Sequence, residues 1–502
     1  MHHLYSIYVE FDSSAASFST CGYKKKSYHN KSLAMNRLSG LDGLRGVLHL
    51  SLVALHVCMM ATAHVPAEGA VWIAISSSSL YSLFQLGGIQ VDGFFMISGF
   101  LIVRKLLDDN SYKPLVHLHV LNRLLRLWPC VGFVLFVNIF ILGDFEEVYQ
   151  LRTFILNMLF VFNYAFESIT LSLAILWSTC VDLQFGVVLA IVMDTVRRSD
   201  PANVLPNATK VFGFLLIVSL WIRYLNFHPE YGNLVRLGDL NHYGRTQTGG
   251  VFYELGLSET YKRKDLKNSY KYLADTYNHT WLIPKKEYFD DWVAISLYVR
   301  RIYMPTHTRF GPIVVGALVA CFEKYLDANI GRFSTWKWPV VAWAISQLLL
   351  PCIPQGGSSA DVIPMEAQIF ITVALRTLSA FALGVLMLSS IVPRQSSWYI
   401  GFFDWLFNIP VLRAIGKLSF CSYLIHFRVI QELTFRYFKP SFDFTTGISQ
   451  ARTAFEIYIC QLYALSLLIS LLLSYLLHHL VELPGLKLQR LVMNQFPKSS
   501  IS

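Results

Sequence analysis

Ten apolar runs constrain this chain more than any other feature. They span approximately 42–63, 88–107, 124–143, 172–194, 211–226, 309–325, 338–354, 367–391, 410–428 and 455–481. Each is long enough to cross, or nearly cross, a hydrocarbon core about 30 Å thick, and such a run reads as a membrane helix. Composition agrees. Charged residues make up 15% of the chain, well below the roughly 25% of a soluble globular protein. Aromatic residues also make up 15%, as interfacial belts require. The predicted fold class is therefore all-α: a polytopic membrane bundle of about ten helices. A weaker amphipathic run near 151–166 reads as re-entrant or interfacial.

Basic residues set the topology. With the N-terminus in the cytosol, the inner connections carry Arg104, Lys105, Lys113, Arg123, Arg126, Arg197, Arg198, Lys324, Arg332, Lys337, Arg394, Arg413, Lys417, Lys487 and Arg490. The short outer connections carry few, as the positive-inside rule demands. The net charge of +10 thus serves orientation, and nucleic acid is not an expected partner. The expected layout is a cytosolic tail (1–37), a membrane domain (38–490) and a second cytosolic tail (491–502), in the plasma membrane or an endomembrane. Residues 1–37, polar and aromatic with a basic run at 24–26, are not expected to act as a signal peptide, and the first helix is expected to act as an uncleaved signal anchor. A polar outer loop, 227–308, is long enough to read as a lid. It carries a glycosylation sequon at Asn278, which would make the chain a glycoprotein, whereas the sequons at Asn30 and Asn207 fall inside. The eight cysteines show no paired spacing, so no zinc or redox motif and no metal is expected.

Charged and titratable residues inside apolar helices are costly and are functional candidates by default. The stretch LDGLRGVLHLSLVALH, Leu41 to His56, places Arg45, His49 and His56 on one helix face. His56 lies about 16 Å along the axis from Arg45, too deep to snorkel. Asp42 sits three residues before Arg45 and can pair with it. Asp92 lies just inside the second run, in VDGFFMISGFLI. Arg123 and Arg126, one turn apart in NRLLRLWP at the inner surface, suit either anionic lipid or a pyrophosphate. Asp182 and Gln184 occupy LWSTCVDLQF near the expected outer end of the fourth run, where a carboxylate could orient a histidine or bond across helices. Arg309, Arg376, Tyr423 and His426 follow. Arg376 lies mid-run and is expected to pair with a carboxylate or a bound anion.

Taken together, the chain resembles the acyltransferase-3 family of integral membrane acyltransferases, which includes O-antigen acetylases and nose-resistant-to-fluoxetine-like proteins. The matching pieces occur in family order: Leu41–His56, Val91–Ile102, Asn122–Pro129, Leu176–Phe185, Thr306–Ala320, Leu412–Phe427 and Val481–Pro484. The resemblance implies ten helices and transfer of an acyl group, commonly acetyl, from cytosolic acyl-CoA to a hydroxyl on the outer side. The acceptor would be a carbohydrate, a lipid or a small molecule. It casts His56 as the essential histidine; by residue chemistry Asp182 or Asp92 would orient its ring, with His56 acting as general base or carrying the acyl group itself. It casts Arg45, with Asp42, and Arg123 and Arg126 as the donor site. Asp182 stands where the family motif usually has glutamate, Gly186 where an aromatic residue is common, and His49 where an apolar residue is expected.

Two other readings fit intramembrane His, Arg and Asp: a transporter, or a non-catalytic scaffold of the same fold. Transporters more often show repeats and broken helices, and none is visible here. A scaffold would be expected to have lost His56, Arg45, Arg123 and Arg126, and all are present.

Overall fold

The computed structural model describes residues 25–61, 78–85, 89–108, 116–142, 147–164, 175–227, 303–328, 369–391, 398–438 and 448–495, with isolated positions at 173, 341, 344 and 345. These residues are helical, and no strand occurs among them. The helices are α1 (Lys25–Ala61), α2 (Ser79–Gln85), α3 (Gln90–Asp108), α4 (Val116–Phe136), α5 (Glu147–Met158), α6 (Trp177–Ser199), α7 (Val204–Leu225), α8 (Thr306–Arg309), α9 (Gly311–Ala328), α10 (Arg376–Ile391), α11 (Trp398–Phe407), α12 (Pro410–Glu432), α13 (Ile448–Leu477) and α14 (Leu483–Asn494).

Nine of the ten apolar runs coincide with helix; the other, 338–354, falls almost wholly outside the described residues, as do the loop from 228 to 302 and Asn278. Five segments are long and apolar enough to cross a bilayer: Gly40–Ala61, Val116–Ile141, Trp177–Ser199, Pro201–Leu225 and Ser449–Asn494. Their outward faces are apolar. Ile217 is 66% exposed and Leu472 59% exposed, with Phe214, Trp221, Leu468 and Leu480 beside them. A face this apolar would be a liability in water and is what lipid requires.

Several boundaries differ from the sequence reading. Helix α1 reaches back to Lys25, into the stretch expected to be a tail. Helix α13 continues through a π-helical turn, His478–Glu482, into α14, past the expected end at 481. Pro484 sits in the first turn of α14, where its missing N–H is not needed, so the helix resumes. The run near 151–166 forms α5 and a 3-10 turn, Phe162–Tyr164. Between α6 and α7, Asp200 accepts from Asn203 and Asn207, and these bonds hold its carboxyl below the usual range. The side chain of Asn207, one of the inner sequons, is thereby engaged.

Two intimate helix pairs organise the bundle: α1 with α12, and α3 with α9. Hydrocarbon offers helices no hydrophobic drive to associate, so small residues that admit close backbone approach matter more. At Gly416 on α12, an added Cβ would run into the main-chain carbonyl of Asp42 on α1. Gly99 and Gly316 serve the second pair in the same way. Both pairs run parallel: Asp42, His49 and His56 meet Gly416, Ser422 and His426 in turn, and Asp92, Gly99 and Arg104 meet Arg309, Ile313 and Glu323.

Gly416→Val should therefore separate α1 from α12. The expected cost is about 1–3 kcal/mol, read as a lower thermal midpoint of the detergent-solubilised protein. Gly213→Val is the control, because nothing lies within 4 Å of that position.

Candidate active site

The parallel packing of α1 and α12 brings three histidines together. His49 and His56 are seven residues apart on α1, two turns on one face. Ser422 and His426 are four apart on α12. His49 Nε2 lies 2.7 Å from Ser422 Oγ, and His56 Nδ1 lies 2.8 Å from His426 Nε2. The rings of His56 and His426 stack with centroids 5.0 Å apart, and Phe427 meets His56 edge-on at 4.7 Å. All three histidines are buried.

The partners assign the tautomers. His426 Nδ1 faces the main-chain carbonyls of Ser422 (3.0 Å) and Tyr423 (2.8 Å). Carbonyls only accept, so Nδ1 carries the proton and neutral His426 presents a lone pair at Nε2. That lone pair accepts from His56 Nδ1–H. His56 Nε2 is then left unprotonated, and it has no hydrogen-bond partner among the described residues. Two backbone carbonyls on one helix thus fix the basic nitrogen on another. His49 Nδ1 is buried and likewise has no partner.

The two carboxylates expected beside His56 are engaged elsewhere. Asp182 pairs with Arg123, which also donates to Ser98 (3.4 Å). The sequence placed these two residues at opposite ends of the bundle; the ion pair puts them at one level. The cause is the start of α6. Its first turn lies level with the histidines, where Ser178 Oγ is 2.6 Å from the Tyr423 hydroxyl, which donates to the Ile175 carbonyl (2.7 Å). Asp182, a turn further on, therefore lies on the arginine side. The Arg123 guanidinium packs over Gly186, where a Cβ would stand 3.1 Å from Cζ. An aromatic side chain at 186 would displace it.

Asp92 is fully buried between two arginines. Its Oδ1 lies 2.9 Å from Arg309 Nη2 and its Oδ2 3.0 Å from Arg376 Nη1. Arg376 thus finds the carboxylate its depth demands. The Tyr303 ring lies 4.9 Å from each guanidinium, and Trp177 lies 5.2 Å from Arg309. Neither aromatic residue was singled out from sequence, because nothing separates a cation-facing aromatic from an ordinary packing residue in one chain. Gln184 donates to Asn163 (2.9 Å) and to the carbonyl of Phe160 (2.5 Å), and accepts from Thr306. Phe160 adopts a left-handed backbone, φ 55°, costing about 1–2 kcal/mol. Gln184 thus ties the 3-10 turn and α8 to α6. Nearby, burial holds the His307 imidazole below its ordinary range.

On the arginine side, Arg45 pairs with Asp42 at 3.3 Å and is a quarter exposed. Arg126 is exposed, while Arg123, one turn earlier, is turned toward Asp182. The expected arginine pair on α4 is therefore split. Arg45 lies within electrostatic reach of Arg126. Arg45 and Arg126 form a two-helix, solvent-facing basic pair suited to phosphates.

Asp92→Asn should leave two buried guanidinium groups short of a counter-charge. A loss of about 3–5 kcal/mol is expected, read as a collapse of the thermal midpoint. Asp42→Asn, at an exposed pair, should change it by less than about 1 kcal/mol.

A family model described as an acyltransferase domain, that of the acyltransferase-3 family, matches residues 38–479. No curated protein and no solved structure matches the chain. The match spans most of the chain, including both histidine-bearing helices and the three arginines of the basic side. This multi-pass membrane protein belongs to the acyltransferase-3 family.

Proposed function

We propose that the protein transfers an acyl group, acetyl above all, from cytosolic acyl-CoA to a hydroxyl-bearing acceptor on the outer side of the membrane. The observation that carries this reading is the hydrogen-bond chain ending at His56 Nε2. A buried imidazole whose other nitrogen is committed as a donor is a preset general base.

Arg45 and Arg126 would hold the donor's phosphates, and Arg123 would keep Asp182 in place beneath them. The rise from Arg45 to His56, about 16 Å, suits a slim pantetheine arm. His56 Nε2 takes the acceptor hydroxyl proton as its oxygen attacks the thioester carbonyl. The C–S bond breaks, and the imidazolium returns the proton to the departing thiolate. His426 accepts from His56 Nδ1–H throughout and stabilises the imidazolium, so it is a positioning residue. Asp92, Arg309 and Arg376 brace α3, α8 and α10 against one another. The acceptor is a carbohydrate, a lipid or a small alcohol.

Labelled acetyl-CoA supplied to purified membranes tests this. His56→Ala should lower acyl transfer by about 10²–10⁴-fold at matched expression. Equal turnover in both would remove His56 from the mechanism. No coenzyme A release with any acyl-CoA and a membrane extract as acceptor would favour transport or scaffolding. His426→Ala should lower kcat by about 10–100-fold, with little change in KM for the donor. A purely structural role would instead lower the amount of folded protein without moving kcat per folded molecule.

A further inference from the structure

Away from the histidines, three potential ligands meet from two parts of the chain. Cys421 lies on α12, and His478 and Glu482 bound the π-helical turn between α13 and α14. Cys421 Sγ is 3.0 Å from Glu482 Oε2, and His478 Nδ1 is 2.6 Å from the same oxygen. The three ligand atoms all lie within 4.8 Å of one another. Cys130 neighbours Cys421 but lies outside this group of three. Both cysteines are fully buried, while the His478 side chain is 23% exposed. None of the three serves the transfer chemistry described above.

We propose that Cys421, His478 and Glu482 bind a zinc-class divalent ion, with a solvent molecule in the fourth position. Sulfur, imidazole nitrogen and a carboxylate oxygen are the donors zinc takes in tetrahedral sites, whereas calcium and magnesium want oxygen alone. Bonds of about 2.0–2.3 Å place tetrahedral ligand atoms roughly 3.3–3.7 Å apart. The observed hydrogen-bonded separations need to open by less than about 1 Å, through side-chain rotation alone. π-Helical turns recur at functional sites, and this one holds two of the ligands.

The charges also close. One thiolate and one carboxylate neutralise a divalent ion, with His478 neutral, so a buried carboxylate acquires a full counter-charge. Binding releases the Cys421 thiol proton to solvent. His478 keeps its remaining proton at Nε2, and its exposed edge gives the ion a route in. The bound ion would staple α12 to the end of α13. Nothing in the spacing of positions 421, 478 and 482 announces such a site.

The test uses the full chain in detergent, purified without a polyhistidine tag. After chelator stripping, the protein is titrated with cobalt(II), following the thiolate-to-cobalt charge-transfer band, and then with zinc to displace it. Wild type should show the band, saturating at about one ion per chain, with zinc displacing cobalt. Cys421→Ser should abolish the band, and His478→Ala should weaken binding by about tenfold or more. Serine preserves the volume and the hydrogen bond to Glu482, so monodisperse elution of Cys421→Ser separates lost ligation from lost folding. No band in wild type, or an unchanged band in Cys421→Ser, would overturn the proposal. Neither outcome bears on His56.

Discussion

The histidine cluster depends on how closely α1 can approach α12. The Asp42 carbonyl rests where Gly416 has no side chain, and that contact sets the register of two parallel helices. The register places His49 against Ser422 and His56 against His426. A hydrogen bond between two ring nitrogens tolerates only tenths of an ångström. In water the hydrophobic effect would press such helices together. In lipid the missing Cβ has to do it.

The interior handles charge by full commitment. Asp92 is shared by Arg309 and Arg376, Glu323 holds Arg104 at 2.9 Å, and Asp182 holds Arg123. The histidines follow a different rule: they are joined to carbonyls, a hydroxyl and each other, with no carboxylate against them in the hydrogen-bond chain. A carboxylate beside His56 would favour the charged ring. A chain of neutral partners favours the uncharged ring.

Much of the bundle was legible in the sequence because hydropathy is local. A run of apolar residues announces its own helix, and Arg376 in such a run announces a partner. Motif order pointed to His56 and His426. Pairing across helices was not legible. Sequence put Arg123 and Asp182 at opposite ends because span limits were read from hydropathy, whereas α6 begins level with the histidines. The tautomer chain depends on which main-chain carbonyls face His426 Nδ1, which no single-sequence pattern encodes. Gly186 departs from the family pattern, and the Arg123 guanidinium rests where a larger side chain would stand.

The Asp92 bridge has a consequence for how the chain is made. Asp92 and Arg376 lie 284 residues apart in sequence. At about 5–20 residues per second of synthesis, α3 must wait roughly 15–60 s for its second arginine. Until Arg309 and Arg376 are made, the Asp92 carboxylate, in the first turn of α3, has neither of its arginines. Helix α3 is therefore a poor candidate for independent residence in lipid.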